Sequence, residues 1–308
     1  LPAHRQGEFF HRYVLGLYRI LGILTSEFPK ILFESCASGG NRFDLGMLCY
    51  MPQVWASDNT DAISRMSIQN GYSYGYPLSV IGAHVSGCPN HQTLRSTPLF
   101  TRFHAACFGL LGYECNLLEM SKEEREAVRQ QVALYKKWRQ VFQFGDFYRL
   151  KDGSVIDSRN PAGSYHWLCV SKDKKRAICM ILQTKTISNT GYEKVRTRGL
   201  QEDLLYHFAN VPGKIDIREF GDLINTISPI HIKKDSVMHE LVSKFYRLQE
   251  EQEEYLVYGA NLNRGGIKLK QAFSGTGFNE NTRHYTDYAS RMYFMESEES
   301  IEMKKAGK

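Results

Sequence analysis

No two cysteines in this sequence stand in a C-x-x-C pair. The seven present, at positions 36, 49, 88, 107, 115, 169 and 179, are odd in number. Both facts argue against a disulfide framework and against a structural zinc cluster, and they fit reduced thiols in a cytoplasmic setting. There is no run of about eighteen apolar residues and no signal peptide, so no membrane partner is expected. The first residue is Leu rather than Met. The phosphate-loop pattern G-x-x-x-x-G-K-[ST] is absent, which removes the best-marked class of nucleotide site. Charge of one sign is also missing as a block. The net charge is +6, but 39 basic and 33 acidic residues are interspersed. The densest run, Lys172 to Arg176, is broken by Asp173 and lies between two strand-like segments, where it reads as a solvated hairpin turn. No nucleic-acid partner is expected. Repeats and low-complexity segments are lacking too.

What is present suits a folded chain. The 308 residues are 42% hydrophobic and 23% charged, enough to bury one large core or two ordinary ones. The first half alternates helix-like and strand-like segments. Phe10, Tyr13, Val14, Leu17, Leu21 and Leu24 recur at helical spacing and predict an amphipathic helix over Gly7–Phe28, ended near Pro29. Short apolar runs at Ile31–Phe33, Met51–Trp55, Leu78–Ile81 and near Phe108–Leu111 predict buried strands. Asp61–Gln69 predicts a helix. Ser121-Lys122-Glu123-Glu124 is a capping box that opens a long helix bearing Val128, Val132, Tyr135, Trp138 and Phe142 on one face. Strands alternating with helices imply an α/β fold with a parallel sheet. Polar residues gather just after each strand, as on the catalytic rim of a β/α barrel, and about four units are visible, half the usual eight. Past Gly145 the helical period is lost. Phe147–Leu150 and Val155–Ile156 flank the turn signal Asp152-Gly153, while Trp167–Val170, Ala177–Gln183 and Tyr288–Met295 read as strands, with a short helix near Met238–Leu248. The second half is therefore expected to be antiparallel β.

The strongest chemical signal is Trp55-Ala56-Ser57-Asp58-Asn59-Thr60-Asp61. It sets an aromatic ring and two carboxylates at the C-terminal end of a barrel strand. Glycoside cleavage needs such a set, because a carboxylic acid must protonate the departing oxygen and a flat ring can carry a sugar face. Asp58 falls in the loop, where catalysis and a plain loop role are both open. Asp61 opens the next helix and reads better as its N-cap. Cys36-Ala37-Ser38-Gly39-Gly40 follows the preceding strand, and its small residues would let backbone approach a ligand; a lone Cys36 can equally be a buried small hydrophobe. Glu34 and Asp44 are candidate site carboxylates or partners of Arg42. His84, Cys88 and His91 have no zinc-like spacing, so no metal is expected there. His84 could touch substrate or satisfy a loop carbonyl. Tyr72, Tyr74 and Tyr76 are expected to pack rather than bind.

Longer strings carry a resemblance. Phe33 to Leu48 and Met51 to Ile63, with Gly82 to Gln92, Arg5-Gln6-Gly7-Glu8-Phe9 and Ala272 to Asn281, resemble the α-galactosidases of glycoside hydrolase family 36. The likeness runs through nearly the whole chain and is weakest between about residues 185 and 255. It implies the second half of a TIM barrel over 1–145, followed by an antiparallel β-sandwich domain over 146–308. It implies retaining hydrolysis of terminal α-galactosyl groups in oligosaccharides such as raffinose and melibiose, with no metal and no organic cofactor. Asp58 falls on the family's acid/base position, and Cys36, Gly39 and Trp55 on its galactose contacts. The family's loop after the cysteine is often richer in glycine than Ala37, Ser38 and Asn41 allow. The family's nucleophile lies in a Lys-Trp-Asp segment just before Arg-Gln-Gly-Glu, and residues 1–4 leave no room for it. A fragment inactive and poorly soluble by itself is the expectation, with a homo-oligomer for the intact enzyme. A transglycosylase, an α-N-acetylgalactosaminidase or a non-catalytic galactoside-binding protein are the alternatives.

Overall fold

The computed structural model describes residues 1–36, 42, 44–187, 193–226, 228–270 and 286–301. The elements of the first part are α1 (Gln6–Glu27), β1 (Glu34–Ser35), β2 (Gln53–Trp55), α2 (Ala62–Tyr72), β3 (Ile81–Ser86), α3 (Leu99–Cys107), β4 (Leu110–Glu114) and α4 (Lys122–Phe144). The four strands form one sheet in chain order, every pair parallel. Strand order equal to chain order, with α2 between β2 and β3 and α3 between β3 and β4, is the winding of a β/α barrel.

Successive strand residues point to opposite faces, so the four strands sort their side chains into two sets. Val54, Ile81, Ala83 and Val85 are buried in one cluster with Phe103, Ala106 and Cys107 of α3. The register Glu34↔Gln53, Trp55↔Gly82 and His84↔Gly112 puts the polar and aromatic set on the other face.

Strand positions depart from the expected ones for local reasons. Ile31 and Leu32 are exposed, and β1 begins only at Glu34. Its pairing starts at Gln53, because the preceding Pro52 has no N–H to offer a partner strand. Leu78–Val80 is a 3-10 turn rather than a strand, closed by the Val80 amide on the Pro77 carbonyl at 3.1 Å, and β3 begins at Ile81, where the expected strand was to end. Thr101–Cys107 is helical, so β4 starts at Leu110. The capping box closes as expected: Ser121 Oγ accepts from the Glu124 amide at 3.1 Å and Glu124 Oε2 accepts from the Ser121 amide at 2.9 Å.

The second part comprises β5 (Asp146–Lys151), β6 (Tyr165–Val170), β7 (Arg176–Leu182), β8 (Lys194–Val195), β9 (Leu205–Asn210), β10 (Lys214–Asp216), α5 (Val237–Phe245), β11 (Arg247–Gln249), β12 (Glu254–Tyr258), α6 (Gly259–Arg264), β13 (Ile267–Lys268) and β14 (Ser290–Ser297). Six strands make an antiparallel sheet in the order β12-β9-β14-β7-β6-β5. The Lys172–Lys175 stretch is the turn of the β6–β7 hairpin. Val155 and Ile156 form no strand; β5 pairs instead with β6.

One face of this sheet packs on α3 and α4, where Trp167, Met180, Leu182, Met292 and Phe294 join Phe108, Trp138 and Phe142 in a single core. The other face buries Leu168, Cys179, Phe208 and Tyr293 with Val195 of β8 and Leu262 of α6. Where a sandwich would have a full second sheet, the described residues have the two-stranded β13–β8 ribbon and α6. Between the halves, Thr101 Oγ1 donates to the Tyr288 carbonyl at 2.8 Å and His104 Nδ1 meets Ser290 Oγ at 2.8 Å. Burial pushes the His104 imidazole down to about 3, so it packs there as the neutral ring.

Candidate active site

The polar face of the parallel sheet ends in a rim at the C-terminal ends of β1 to β4, where barrel folds place their chemistry. Trp55 is the last residue of β2, and its half-buried ring is gripped by its neighbours. The His84 ring centroid lies 4.5 Å from that of Trp55, and the Arg65 guanidinium carbon lies 4.7 Å from it. Gly82, the register partner of Trp55, makes room for the ring. A Cβ at Gly82 would sit 3.2 Å from Trp55 Cε3 and 3.2 Å from the Val54 carbonyl. The indole N–H then donates to Asp58 Oδ1 at 3.0 Å. Asp58 is exposed on the rim, and its only described hydrogen bond is that one.

The loop around Asp58 is built from short hydrogen-bonded turns. Ser57 Oγ accepts from the Asn59 amide at 3.1 Å, and Asn59 Oδ1 accepts from the Asp61 amide at 3.1 Å. Asp61 is the N-cap of α2: its Oδ2 accepts from the Ser64 amide at 3.1 Å and is ion-paired with Arg95. It is buried, so the two carboxylates of the motif separate into one that caps a helix and one that stands open at the rim.

Cys36 follows β1 directly and is exposed with a free thiol. The pair Ser35↔Val54 brings it level with Trp55 across the sheet. Gly39 lies outside the described residues, as do Ala37, Ser38, Asn41 and the Ala272–Asn281 string. Glu34 accepts a hydrogen bond from Gln53 Nε2. Asp44 caps the 3-10 turn Leu45–Cys49 through the Gly46 amide at 2.8 Å, and it accepts from the Tyr18 hydroxyl at 2.7 Å. That bond and burial push the Tyr18 hydroxyl up to about 12. Among the described residues neither carboxylate pairs with Arg42. Tyr72 and Tyr76 pack ring on ring at 5.8 Å, while Tyr74 is exposed beneath the Arg149 guanidinium at 3.9 Å.

Among the described residues His84 makes no hydrogen bond to a loop carbonyl. Its Nδ1 lies 3.4 Å from Glu114 Oε2, and its ring crosses Gly112, where a Cβ would meet it at 2.5 Å. No group of three His, Cys, Asp or Glu side chains comes together for a metal among the described residues. Three site residues escaped the sequence reading: Arg65, Gly82 and Glu114. A signal for Arg65 existed. Ala62, Arg65, Met66 and Gln69 follow helical spacing on the buried face of α2, and a charge on such a face asks for an explanation.

Comparisons with known proteins match the two parts of the chain separately. The Melibiase family model matches residues 1–145, and the model of the glycosyl hydrolase family 36 C-terminal domain matches residues 164–295. Alpha-galactosidase 1 of Pediococcus pentosaceus is 48% identical over 206 residues, which are 67% of this chain and 27% of that protein. Alpha-galactosidase AgaA of Geobacillus stearothermophilus is 47% identical over the same shares. A crystal structure of an AgaA variant in complex with raffinose superposes on 96% of this chain and 33% of its own, with TM-score 0.71 and 34% identity. The alpha-galactosidase from Lactobacillus brevis does so with TM-score 0.71 and 35% identity. The chain thus spans about a quarter of the length of these curated relatives and a third of the solved chains. A half-barrel sheet with its polar rim, an antiparallel sheet sharing its core, and a separate family model on each half make one assignment: the chain belongs to glycoside hydrolase family 36.

Proposed function

We propose that the protein containing this chain hydrolyses terminal α-linked galactose from oligosaccharides such as raffinose and melibiose, with retention of configuration and with Asp58 as acid/base. One observation carries the reading: the Asp58 carboxylate stands open at the end of β2, tied to Trp55, in a chain whose relatives are named alpha-galactosidases. In the first step a nucleophilic carboxylate attacks the anomeric carbon, the glycosidic C–O bond breaks, and Asp58 passes its proton to the departing oxygen. In the second, water attacks the same carbon, gives a proton to Asp58 and frees the nucleophile. The two carboxyl groups must stand about 5 Å apart. By the family pattern the nucleophile belongs to a segment upstream of residue 1. Cys36, Gly39 and Trp55 would line the galactose pocket.

The exposed surface supports a missing neighbour of this kind. Along α1 only Leu21 is buried, while Phe9, Phe10, Tyr13, Leu15, Ile20 and Ile23 face outward. An apolar helix face of that size calls for a covering layer. Seven free thiols suit the cytoplasm, and the exposed Val237 and Phe245 of α5 suit a homo-oligomer. The 308-residue chain by itself is expected to hydrolyse no aryl α-galactoside.

The test uses the intact gene product. Asp58→Asn is expected to lower kcat/KM on raffinose by about a hundredfold to ten-thousandfold. The loss on a dinitrophenyl α-galactoside should be far smaller, because that leaving group departs without a proton. Azide should restore turnover and yield the α-galactosyl azide. Equal losses on both substrates, or turnover of raffinose by Asp58→Asn at the native rate, would remove Asp58 from the mechanism.

A further inference from the structure

Arg65 is 2% exposed, in the middle of α2, and burying a guanidinium is costly unless its donors are met. Among the described residues only one is met. Its Nη2 donates to the Gly82 carbonyl at 2.6 Å, while Nε and Nη1 have no hydrogen-bond partner among the described residues. No carboxylate forms an ion pair with it within 4 Å among those residues. What its flat cation does meet is the Trp55 ring, at 4.7 Å. Desolvation lowers its pKa to about 10, and the nearby Glu114 and Asp58 carboxylates oppose that shift, so the group stays charged at neutral pH.

Helix packing alone does not require a charge at this place. Met66, one residue on, already fills the core, and Gln69 ties α2 to α3 through the Ala105 carbonyl at 3.0 Å. The arginine also spans elements in a directed way. It anchors on the backbone of β3 at Gly82, the residue whose missing side chain lets the Trp55 ring lie across the sheet. It then presents its cation to that ring, and the ring's N–H is what holds Asp58.

We propose that Arg65 is a positioning residue for acid/base catalysis: pinned to the Gly82 carbonyl, it fixes the plane of Trp55, and Trp55 in turn aims the Asp58 carboxylate at the departing oxygen. This rests on the reading of Asp58 as acid/base. The attraction of a cation for the ring face is strongest where water is excluded, as it is at Arg65. An indole free to tilt would carry its N–H away from Asp58, and general acid catalysis depends on sub-ångström placement of the donor.

The test is the leaving-group dependence of kcat/KM in the intact gene product, which reads the bond-breaking step. Arg65→Met keeps much of the volume and removes the charge. Its ratio of kcat/KM on raffinose to kcat/KM on the dinitrophenyl α-galactoside is expected to fall at least about tenfold, because only raffinose needs the proton. Arg65→Lys retains a charge without the flat fork and should fall between. Gly82→Ala leaves the charge and crowds the ring at Cε3, and it should lower the same ratio. Asp58→Asn is measured in parallel. If Asp58→Asn lowers the ratio while the Arg65 and Gly82 variants lose activity equally on both substrates, the positioning role is overturned and the acid/base reading stands. If Asp58→Asn itself leaves the ratio unchanged, both fall. Should Arg65→Met fail to fold, Arg65→Lys and Gly82→Ala, read the same way, decide.

Discussion

At the scale of single residues, burial separates side chains that share a motif. Asp58 and Asp61 are three positions apart, yet one is solvent-facing beside an indole and the other caps a helix inside an ion pair. The capping role of Asp61 was legible, because a helical period begins right after it. The open placement of Asp58 followed from its position after a strand. The grip on Trp55 was not legible: it comes from β3 and α2, and no local pattern says which strand residue lies beside which. Burial also decides charge elsewhere. Glu253 is fully buried, accepts from the Lys270 amide at 3.0 Å, and lies 3.4 Å from the Arg291 guanidinium. Desolvation pushes its carboxyl up to about 7, against the pull of Arg291. The sign of the pH effect follows. The folded protein holds this proton up to about pH 7, whereas an unfolded glutamate releases it near pH 4.3. Between those values the folded state binds more protons, so stability falls as pH rises and levels off above about pH 7. Urea midpoints measured from about pH 5 to pH 8 should show that slope, and Glu253→Gln should flatten it.

At the scale of elements, helices were more legible than strands, for a physical reason. A helix satisfies its own backbone, so α1, α2 and α4 lie within a few residues of their expected bounds. A strand ends where its partner ends. β1 loses the apolar Ile31–Phe33 because Pro52 interrupts the neighbouring ladder, and β5 turns to the distant β6 rather than to the adjacent Val155–Ile156. β14 was legible from its aromatic and apolar content rather than from alternation: it lies between β9 and β7 with both faces buried, which erases the alternation that marks a half-exposed strand. The cap of α4 offers a local test. Ser121→Ala removes the acceptor for the Glu124 amide at the start of a 23-residue helix. The expected loss is about 1 kcal/mol in urea unfolding, with no change in the slope of the transition.

At the scale of the molecule, the parallel and antiparallel halves differ in topology but share their packing. The helices of the parallel half and the sheet of the antiparallel half bury their side chains in one cluster. Trp138 of α4 is one of its members. It is 2% exposed, its ring lies 4.9 Å from Phe294 of β14, and the Arg176 guanidinium of β7 sits 4.0 Å from the ring centroid. Gly145 draws the two halves together at the join, since a Cβ there would meet the Val141 carbonyl at 2.5 Å and the Val170 carbonyl at 2.8 Å. With that geometry neither half can expose its core without the other. Trp138→Ala is therefore expected to cost about 3–5 kcal/mol and to act on both halves at once. Two reporters remain in the variant, Trp55 in the parallel sheet and Trp167 in the antiparallel one. Fluorescence and far-ultraviolet ellipticity should lose amplitude in one coincident transition, shifted to lower urea. A variant in which the antiparallel half keeps its native midpoint while the parallel half melts early would show two separable cores, contrary to the shared packing around Trp138.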